Sequence, residues 1–342
     1  MRILLVTQMW PSPENPDLGS FLVPLTRELE GLGHEIEVAS ISRRGGSPTK
    51  YVTLARRAHE AAKRTDPDVV FAHFLFPAGA AGAFAANAAG APLVVMAHGQ
   101  DVGNLRRFPG VTRVTAGVLS RSAAVIANSR WLADRLTERI PVPDEKITIA
   151  DCGVDLGAFS PRPATEARRE LEWEGEGPAF LCVGSLIERK NVIRLADAFA
   201  SFGRGRLAFV GDGPLRERLE GRPGVRITGR IPQSDVPRWV AASDVLCQPS
   251  LREPFGQAAL EGMAMERTVL ATTVGGPPEF VTPEAGVLVD PEDQAALAAG
   301  LERAASMPSP NPAAREAAAA HDVKLQAARM ADVLDRARAV SG

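Results

Sequence analysis

Two glutamates in the segment PSLREPFGQAALEGMA, Glu253 and Glu261, stand with seven residues between them, and paired carboxylates can bind hydroxyl groups or exchange protons. Spacing alone says little, because Glu166 with Glu174 and Glu284 with Glu292 repeat it. Context separates the pairs. The apolar run DVLCQ reads as a strand ending at Pro249, an irregular loop then carries Glu253, and a helix opening near Gln257 puts Glu261 on its second turn. Both carboxylates are thus expected at the carboxyl end of a parallel strand, beside helix amides that can hold an anion. A capping loop followed by a solvated helix face is the plainer alternative.

A second strand end, VGSLIERKN, places Arg189 and Lys190 near the expected first turn of a helix. Cations oppose the helix dipole there by roughly 0.3 to 1 kcal/mol each, a conflict that an anionic ligand removes. Glycine turns follow other strands, at Gly19-Ser20, at Gly211-Asp212-Gly213-Pro214 and at Gly275-Gly276-Pro277. None is a dinucleotide fingerprint, but together they suggest a phosphate-lined cleft. His98 in MAHGQD ends the strand LVVMA and is expected to face that cleft, while His73, ending VVFAH, is left without a role. The Asp66-Pro67-Asp68 triplet has the form of a metal-binding Asp-x-Asp, yet it precedes its strand and so falls at the wrong end of the sheet.

The elements that must position these residues are short apolar runs alternating with helical patterns. RILLVT, EIEVAS, VVFAH, LVVMA, AAVIA and KITIA form one series, with Asn128 and Ser129 as caps of a helix in it. FLCVG, RLAFVG, VRIT, DVLCQ, TVLAT and GVLV form a second. Strands this apolar are buried on both faces, hence two doubly wound parallel sheets. Residues 1–160 and 161–312 read as two Rossmann-like domains facing a cleft, and 313–342 as C-terminal helices.

The length of 342 residues suits two such domains. Three cysteines, Cys152, Cys182 and Cys247, are scattered and odd in number, against a disulfide framework or a cysteine zinc site, and a reducing cytoplasm fits. The first residues read as a strand, not as a secretory leader. Residues 74–97 carry no charge, but Ala, Gly and Pro there favour a packed helix and a buried strand over a membrane span. Residues 1–150 carry 17 Lys+Arg against 14 Asp+Glu, without interleaved aromatics, so nucleic acid is no partner. Arg43, Arg44, Lys50, Arg56, Arg57, Lys63 and Arg64 are nonetheless clustered, which raises peripheral contact with an anionic membrane at the inner face and a lipid-linked acceptor; a solvated helix would look the same.

With these motifs placed, the chain resembles the family 4 glycosyltransferases of GT-B fold, from LGSFLVPLTRELEGLGHEIEV through IANSRWLADRL, IADCGVDLGAFSP and VGSLIERKN to PSLREPFG and GGPPEFV. The resemblance implies an N-terminal acceptor domain, a C-terminal donor domain and a last helix crossing back to the first. It implies transfer of a hexose-type sugar from a nucleotide diphosphate sugar, a UDP- or GDP-sugar, to a glycan, lipid-linked or small-molecule acceptor, with retention and without a metal or other cofactor. It gives Glu253 the sugar hydroxyls, supported by the amides of Phe255 and Gly256 beside Gln257, and gives Glu261 the ribose. Lys190 would take the diphosphate, His98 would lie beside the sugar, Gly19 would line the donor site, and backbone near Ile231 would meet the base. One departure stands out: family members commonly place arginine where Ser185 follows Gly184, which leaves Arg189 as the candidate second cation. A sugar-nucleotide epimerase, a phosphorylase and a non-catalytic nucleotide-binding protein share this fold and stand as alternatives.

Overall fold

The computed structural model describes residues 1–43, 45, 47–105 and 109–341. Its contacts divide the chain into two units, one of residues 1–153 with 323–342 and one of residues 154–322. The chain therefore leaves the first unit at Gly153, short of the boundary at 160 expected from sequence, and returns at Val323.

The first unit runs β1 (Arg2–Thr7), α1 (Leu22–Gly31), β2 (Glu35–Ser40), α2 (Thr49–Thr65), β3 (Val69–His73), α3 (Ala78–Ala89), β4 (Leu93–Ala97), α4 (Gln100–Asn104), α5 (Pro109–Arg121), β5 (Ala124–Ala127), α6 (Arg130–Thr137) and β6 (Ile147–Ile149). The second runs α7 (Ala164–Glu170), β7 (Ala179–Val183), α8 (Val192–Phe202), β8 (Arg206–Val210), β9 (Val225–Gly229), α9 (Val236–Ala242), β10 (Val245–Gln248), α10 (Gln257–Ala264), β11 (Thr268–Thr272), β12 (Gly286–Val289), α11 (Gln294–Ala305) and α12 (Pro312–Ala319), before α13 (Val323–Ser341) rejoins the first.

Each unit is built on a six-stranded parallel sheet, ordered β2-β1-β3-β4-β5-β6 in the first and β12-β11-β10-β7-β8-β9 in the second. The order reverses between β1 and β3 in one sheet and between β7 and β10 in the other, and at such a switch point the loops leaving the two strands diverge and open a crevice. Strand residues alternate between two apolar faces. Leu4, Val6, Val70 and Ala72 pack with Leu54 and Ala58 of α2 and Ala81 and Ala85 of α3. Ile3, Phe71, Val94 and Met96 pack on the opposite face with Leu22, Leu25 and Leu29 of α1 and Ala327, Met330 and Leu334 of α13. The uncharged stretch 74–97 becomes α3 and β4, and no described helix is long and apolar enough to cross a membrane.

Two local expectations change. Ser129 caps α6 by accepting the Leu132 amide at 3.1 Å, whereas the buried Asn128 Oδ1 has no hydrogen-bond partner among the described residues and is no cap. Arg189 and Lys190 belong to a 3-10 turn, Glu188–Lys190, rather than to the first turn of a helix. Asn191 follows with φ 59°, and α8 starts only after it. Asn tolerates this left-handed conformation better than most residues.

Candidate active site

The loops leaving β7 and β10, the two strands at the switch point of the second unit, are tied to one another. Leu251 N donates to the Arg189 carbonyl at 2.9 Å, and the buried Asn191 amide donates to the carbonyls of Pro249 at 3.1 Å and Pro291 at 2.7 Å. The loop after β11 joins them: Glu253 N donates to Val274 O at 3.0 Å, and Gly276 N donates to Glu253 O at 2.9 Å. Gly275 between them has φ +131°, and a Cβ there would lie 1.8 Å from the Glu253 carbonyl oxygen, so only glycine admits this approach.

This framework converges on one carboxylate. Glu253 Oε2 receives Lys190 Nζ at 2.6 Å, Ser250 Oγ at 2.9 Å and Gln248 Nε2 at 3.3 Å, with Arg189 Nη1 at 3.8 Å. Glu253 is 7 % exposed, and burial alone would raise its pKa; the charges of Lys190 and Arg189 and the hydrogen bonds from Lys190 and Ser250 outweigh burial and hold it below the usual value. The Arg189 guanidinium also donates to the Arg252 carbonyl at 3.1 Å, which fixes it against this loop. Ser185 is exposed in the same loop. The cluster thus presents two cations around a buried anion at a strand end, where an incoming polyanion can share the positive charge.

Glu261 has the opposite electrostatics. It is buried on the second turn of α10, has no cationic partner of this kind among the described residues, and burial pushes its carboxyl up to about 8 despite a hydrogen bond from Gln257. At neutral pH it carries a proton. Gly256, with φ 118°, starts α10, and Phe255 packs beside it against Phe280. Gln248 joins these parts, since its Oε1 accepts the Ala259 amide at 3.3 Å while its Nε2 reaches Glu253. Ile231, just beyond β9, is half-buried against the apolar cluster of the second unit. Beneath the site the Cys182 thiol is pushed up to about 12 by burial, so it is no nucleophile at neutral pH.

Gly19 and His98 belong to the first unit. Gly19, with φ +69°, lies against the Met9 carbonyl, where a Cβ would approach within 2.5 Å. His98 packs on Phe74 in a tilted contact, 4.3 Å between ring centroids, and its Nε2 lies 3.0 Å from His73 Nδ1. Burial pushes His98 down to about 3 and His73 well below its usual value, so the pair is neutral and one ring donates to the other. Asp101 shapes the turn that presents His98, accepting the amides of Gly99 at 2.8 Å, Leu75 at 2.9 Å, Val102 at 3.0 Å and His98 at 3.2 Å. Cys152 brings its sulfur within 4.8 Å of ligand atoms of His73 and His98. Its thiol is held protonated by burial and the Asp151 charge, and the two rings meet at hydrogen-bond distance, so the three form a packed polar cluster. Asp66 and Asp68 sit at the opposite end of the sheet, where Arg2 holds both: its guanidinium lies 3.3 Å from Asp66 and its backbone N–H donates to Asp68 at 2.6 Å.

Sequence reasoning left His73 open and passed over Asp101, Gln248, Ser250 and Asn191. A polar residue ending an apolar strand was the available signal for Gln248, and an acidic residue in a first helical turn for Asp101.

A family model described as Glycosyl transferases group 1 matches residues 177–306, and one described as Glycosyltransferase Family 4 matches residues 18–158. The chain is 30% identical to a D-inositol 3-phosphate glycosyltransferase of Thermobispora bispora over 79% of this chain and 71% of that protein. It is 26% identical to a protein of Bacillus subtilis (strain 168) named as a teichuronic acid biosynthesis glycosyltransferase, TuaC, over 89% of each. Among solved structures it is similar to a sucrose-phosphate synthase from Thermosynechococcus elongatus, with a TM-score of 0.82 and 21% identity, covering 99% of this chain and 100% of that one. It is also similar to HepE of Anabaena in complex with UDP-glucose, with a TM-score of 0.76 and 21% identity, covering 98% and 100%. Two Rossmann-like units of the GT-B class, and matches that together span most of both, lead to one conclusion: the chain belongs to the family 4 glycosyltransferases.

Proposed function

We propose that the protein transfers a hexose-type sugar from a UDP- or GDP-sugar to a glycan, lipid-linked or small-molecule acceptor, with retention at the anomeric carbon and without a metal, the second unit holding the donor and the first the acceptor. The observation that carries this reading is the Lys190–Glu253 contact of 2.6 Å, flanked by Arg189 at the β7/β10 switch point. Breaking the bond between the anomeric carbon and the diphosphate sends the electron pair to the diphosphate. Lys190 and Arg189 stabilise that charge, and such fixed donors act more strongly in the transition state than in water. The acceptor oxygen forms the new bond and its proton passes to the departing phosphate, so no side-chain base is needed. Glu253, charged and buried, binds sugar hydroxyls with the amides of Phe255 and Gly256, Glu261 binds ribose hydroxyls and backbone near Ile231 meets the base, while the resemblance to the family assigns His98 and Gly19 of the first unit to donor binding. The UDP-glucose held by HepE supports a uridine donor.

The test is a set of UDP-, GDP- and ADP-sugars scored for hydrolysis and transfer, with the anomeric configuration of the product read by NMR and EDTA present in parallel. Hydrolysis of one donor, lost on Glu253→Ala and unaffected by EDTA, is expected. An inverted product would overturn retention, loss of turnover in EDTA would overturn the metal-free mechanism, and full turnover of Glu253→Ala would remove this site.

A further inference from the structure

Three side chains able to bind a soft cation meet at the carboxyl end of the first sheet. His73 is the last residue of β3 and its register partner in β4 is Met96, so His98 stands just beyond it on the neighbouring strand's exit. Cys152 follows β6 and packs in the same apolar cluster as Phe71 and Met96. One nitrogen of each ring and the sulfur all lie within 4.8 Å of one another. Two imidazoles and a thiol are a donor set of zinc, which binds histidine at roughly 2.0 Å and cysteine at roughly 2.3 Å and keeps water as a fourth ligand where a site stays open. Tetrahedral bonds of those lengths put ligand atoms roughly 3.3 to 3.6 Å apart. His73 Nδ1 and His98 Nε2 already stand 3.0 Å apart, so side-chain movements of about 1 Å bring the three residues into range.

Two further observations point to an ion. His73 is fully buried, and its Nε2 has no hydrogen-bond partner among the described residues; whichever ring donates in the His73–His98 pair, that nitrogen is left unsatisfied. The charge of the buried Asp151 acts on the adjacent Cys152 sulfur, and the same charge favours a cation bound there. His98 is half-buried while His73 and Cys152 are buried, so an ion enters past His98. Phe74 and Phe71 pack against the two rings, each at 4.3 Å between centroids.

We propose that His73, His98 and Cys152 form a zinc site, with water as the fourth ligand. As the sulfur–zinc bond forms, the Cys152 S–H bond breaks and its proton leaves to solvent, while each neutral ring keeps its proton on the nitrogen turned from the ion. No electron changes hands. A bound ion occupies His98, so zinc inhibits transfer; that consequence, unlike binding itself, rests on the donor-binding role given to His98 above.

The full chain, freed of metal with EDTA and exchanged into chelator-free buffer, is titrated with zinc against a chromophoric chelator and, separately, with cobalt as a spectroscopic probe. One equivalent of zinc binds and cobalt gives a thiolate charge-transfer band in the near ultraviolet. Cys152→Ser abolishes the band and lowers zinc affinity by at least about tenfold, since losing even an outer-shell partner of a metal ligand costs that much. Circular dichroism reports whether the variant is folded; if it is not, zinc-edge X-ray absorption of the wild-type chain decides, with one sulfur and two imidazoles expected. A zinc shell without sulfur, a cobalt spectrum without the band, or equal zinc affinity in folded Cys152→Ser overturns the site. In the transfer assay zinc then inhibits the wild type over the range in which it binds and leaves Cys152→Ser active. Zinc binding with the sulfur band but undisturbed transfer would keep the site and remove His98 from donor binding. The same binding in a chain that hydrolyses no nucleotide sugar would keep the site and remove the transfer reading instead.

Discussion

Glu261 offers a proton-linked reading of nucleotide binding. Its carboxyl is pushed up to about 8 by burial, from an ordinary value of 4.5. The folded, unliganded chain therefore holds one more proton than the unfolded chain between those values, and the stability this group contributes is full below 4.5 and lost as pH rises through 8. Ribose hydroxyls donate best to a carboxylate, so binding should expel the proton. UDP-glucose, whose diphosphate does not titrate in this range, should bind more tightly by up to about tenfold per pH unit as pH rises toward 8, and Glu261→Gln should flatten the profile. A flat wild-type profile in calorimetry at pH 6, 7, 8 and 9 would mean that Glu261 does not receive the ribose as an anion. Lys190 and Arg189 make a complementary prediction. Lys190→Ala should lower kcat by about two orders of magnitude, the scale of losing one fixed donor to developing charge. Arg189→Ala should lower it as well, and adding Ser185→Arg to Arg189→Ala should restore part of the loss. Unchanged turnover in Arg189→Ala would make that residue a surface charge.

At the scale of elements, the site depends on how firmly the loops after β7, β10 and β11 are joined. Asn191, in the first of these, supplies a left-handed turn and holds Pro249 O after β10 and Pro291 O after β12 from a buried amide. Asn191→Ala removes both donors and places alanine at φ 59°, so a loss of about 2 to 4 kcal/mol is expected, measured as a shift in the urea midpoint without a change in slope. Since Lys190 is the adjacent residue, kcat should fall more than nucleotide affinity does. A variant with wild-type midpoint and kcat would show that the loops hold without this bridge. The three cysteines are all buried and free, so thiol reagents should leave the folded protein unmodified on the timescale of an assay.

Over the whole molecule, the chain passes from the first unit to the second once and returns once, and the return delivers α13 to a face of the first sheet. Met330 and Leu334 are fully buried there beside α1. Leu334→Ala should cost about 2 to 5 kcal/mol, the usual range for a buried leucine truncated in a core, and should lower the thermal midpoint of the first unit. Hydrogen exchange resolved by peptide would show the loss of protection in α1, α13 and β3 if the helix stabilises that sheet. Unaltered protection in those elements would mean that α13 adds little.

The strands were legible in the sequence because a parallel sheet buried on both faces demands unbroken apolar runs, and VVFAH, LVVMA and TVLAT have no other use for that pattern. The identities of Glu253, Glu261 and Lys190 as candidates followed from the same logic, since a strand end marks where ligand chemistry can stand. The break before α8 was not legible: Glu188, Arg189 and Lys190 are good helix formers, and the turn at Asn191 is fixed by carbonyls of Pro249 and Pro291, the latter 100 positions away. Likewise the meeting of Lys190 with Glu253, 63 positions apart, depends on β7 lying beside β10. Periodicity marked α12 and α13 as helices without saying which sheet each would cover. Local sequence determines period, caps and burial of each element. Which strand ends become neighbours, and hence which charges share a carboxylate, is set by the pairing order of strands far apart in the chain, and only the folded structure decides that.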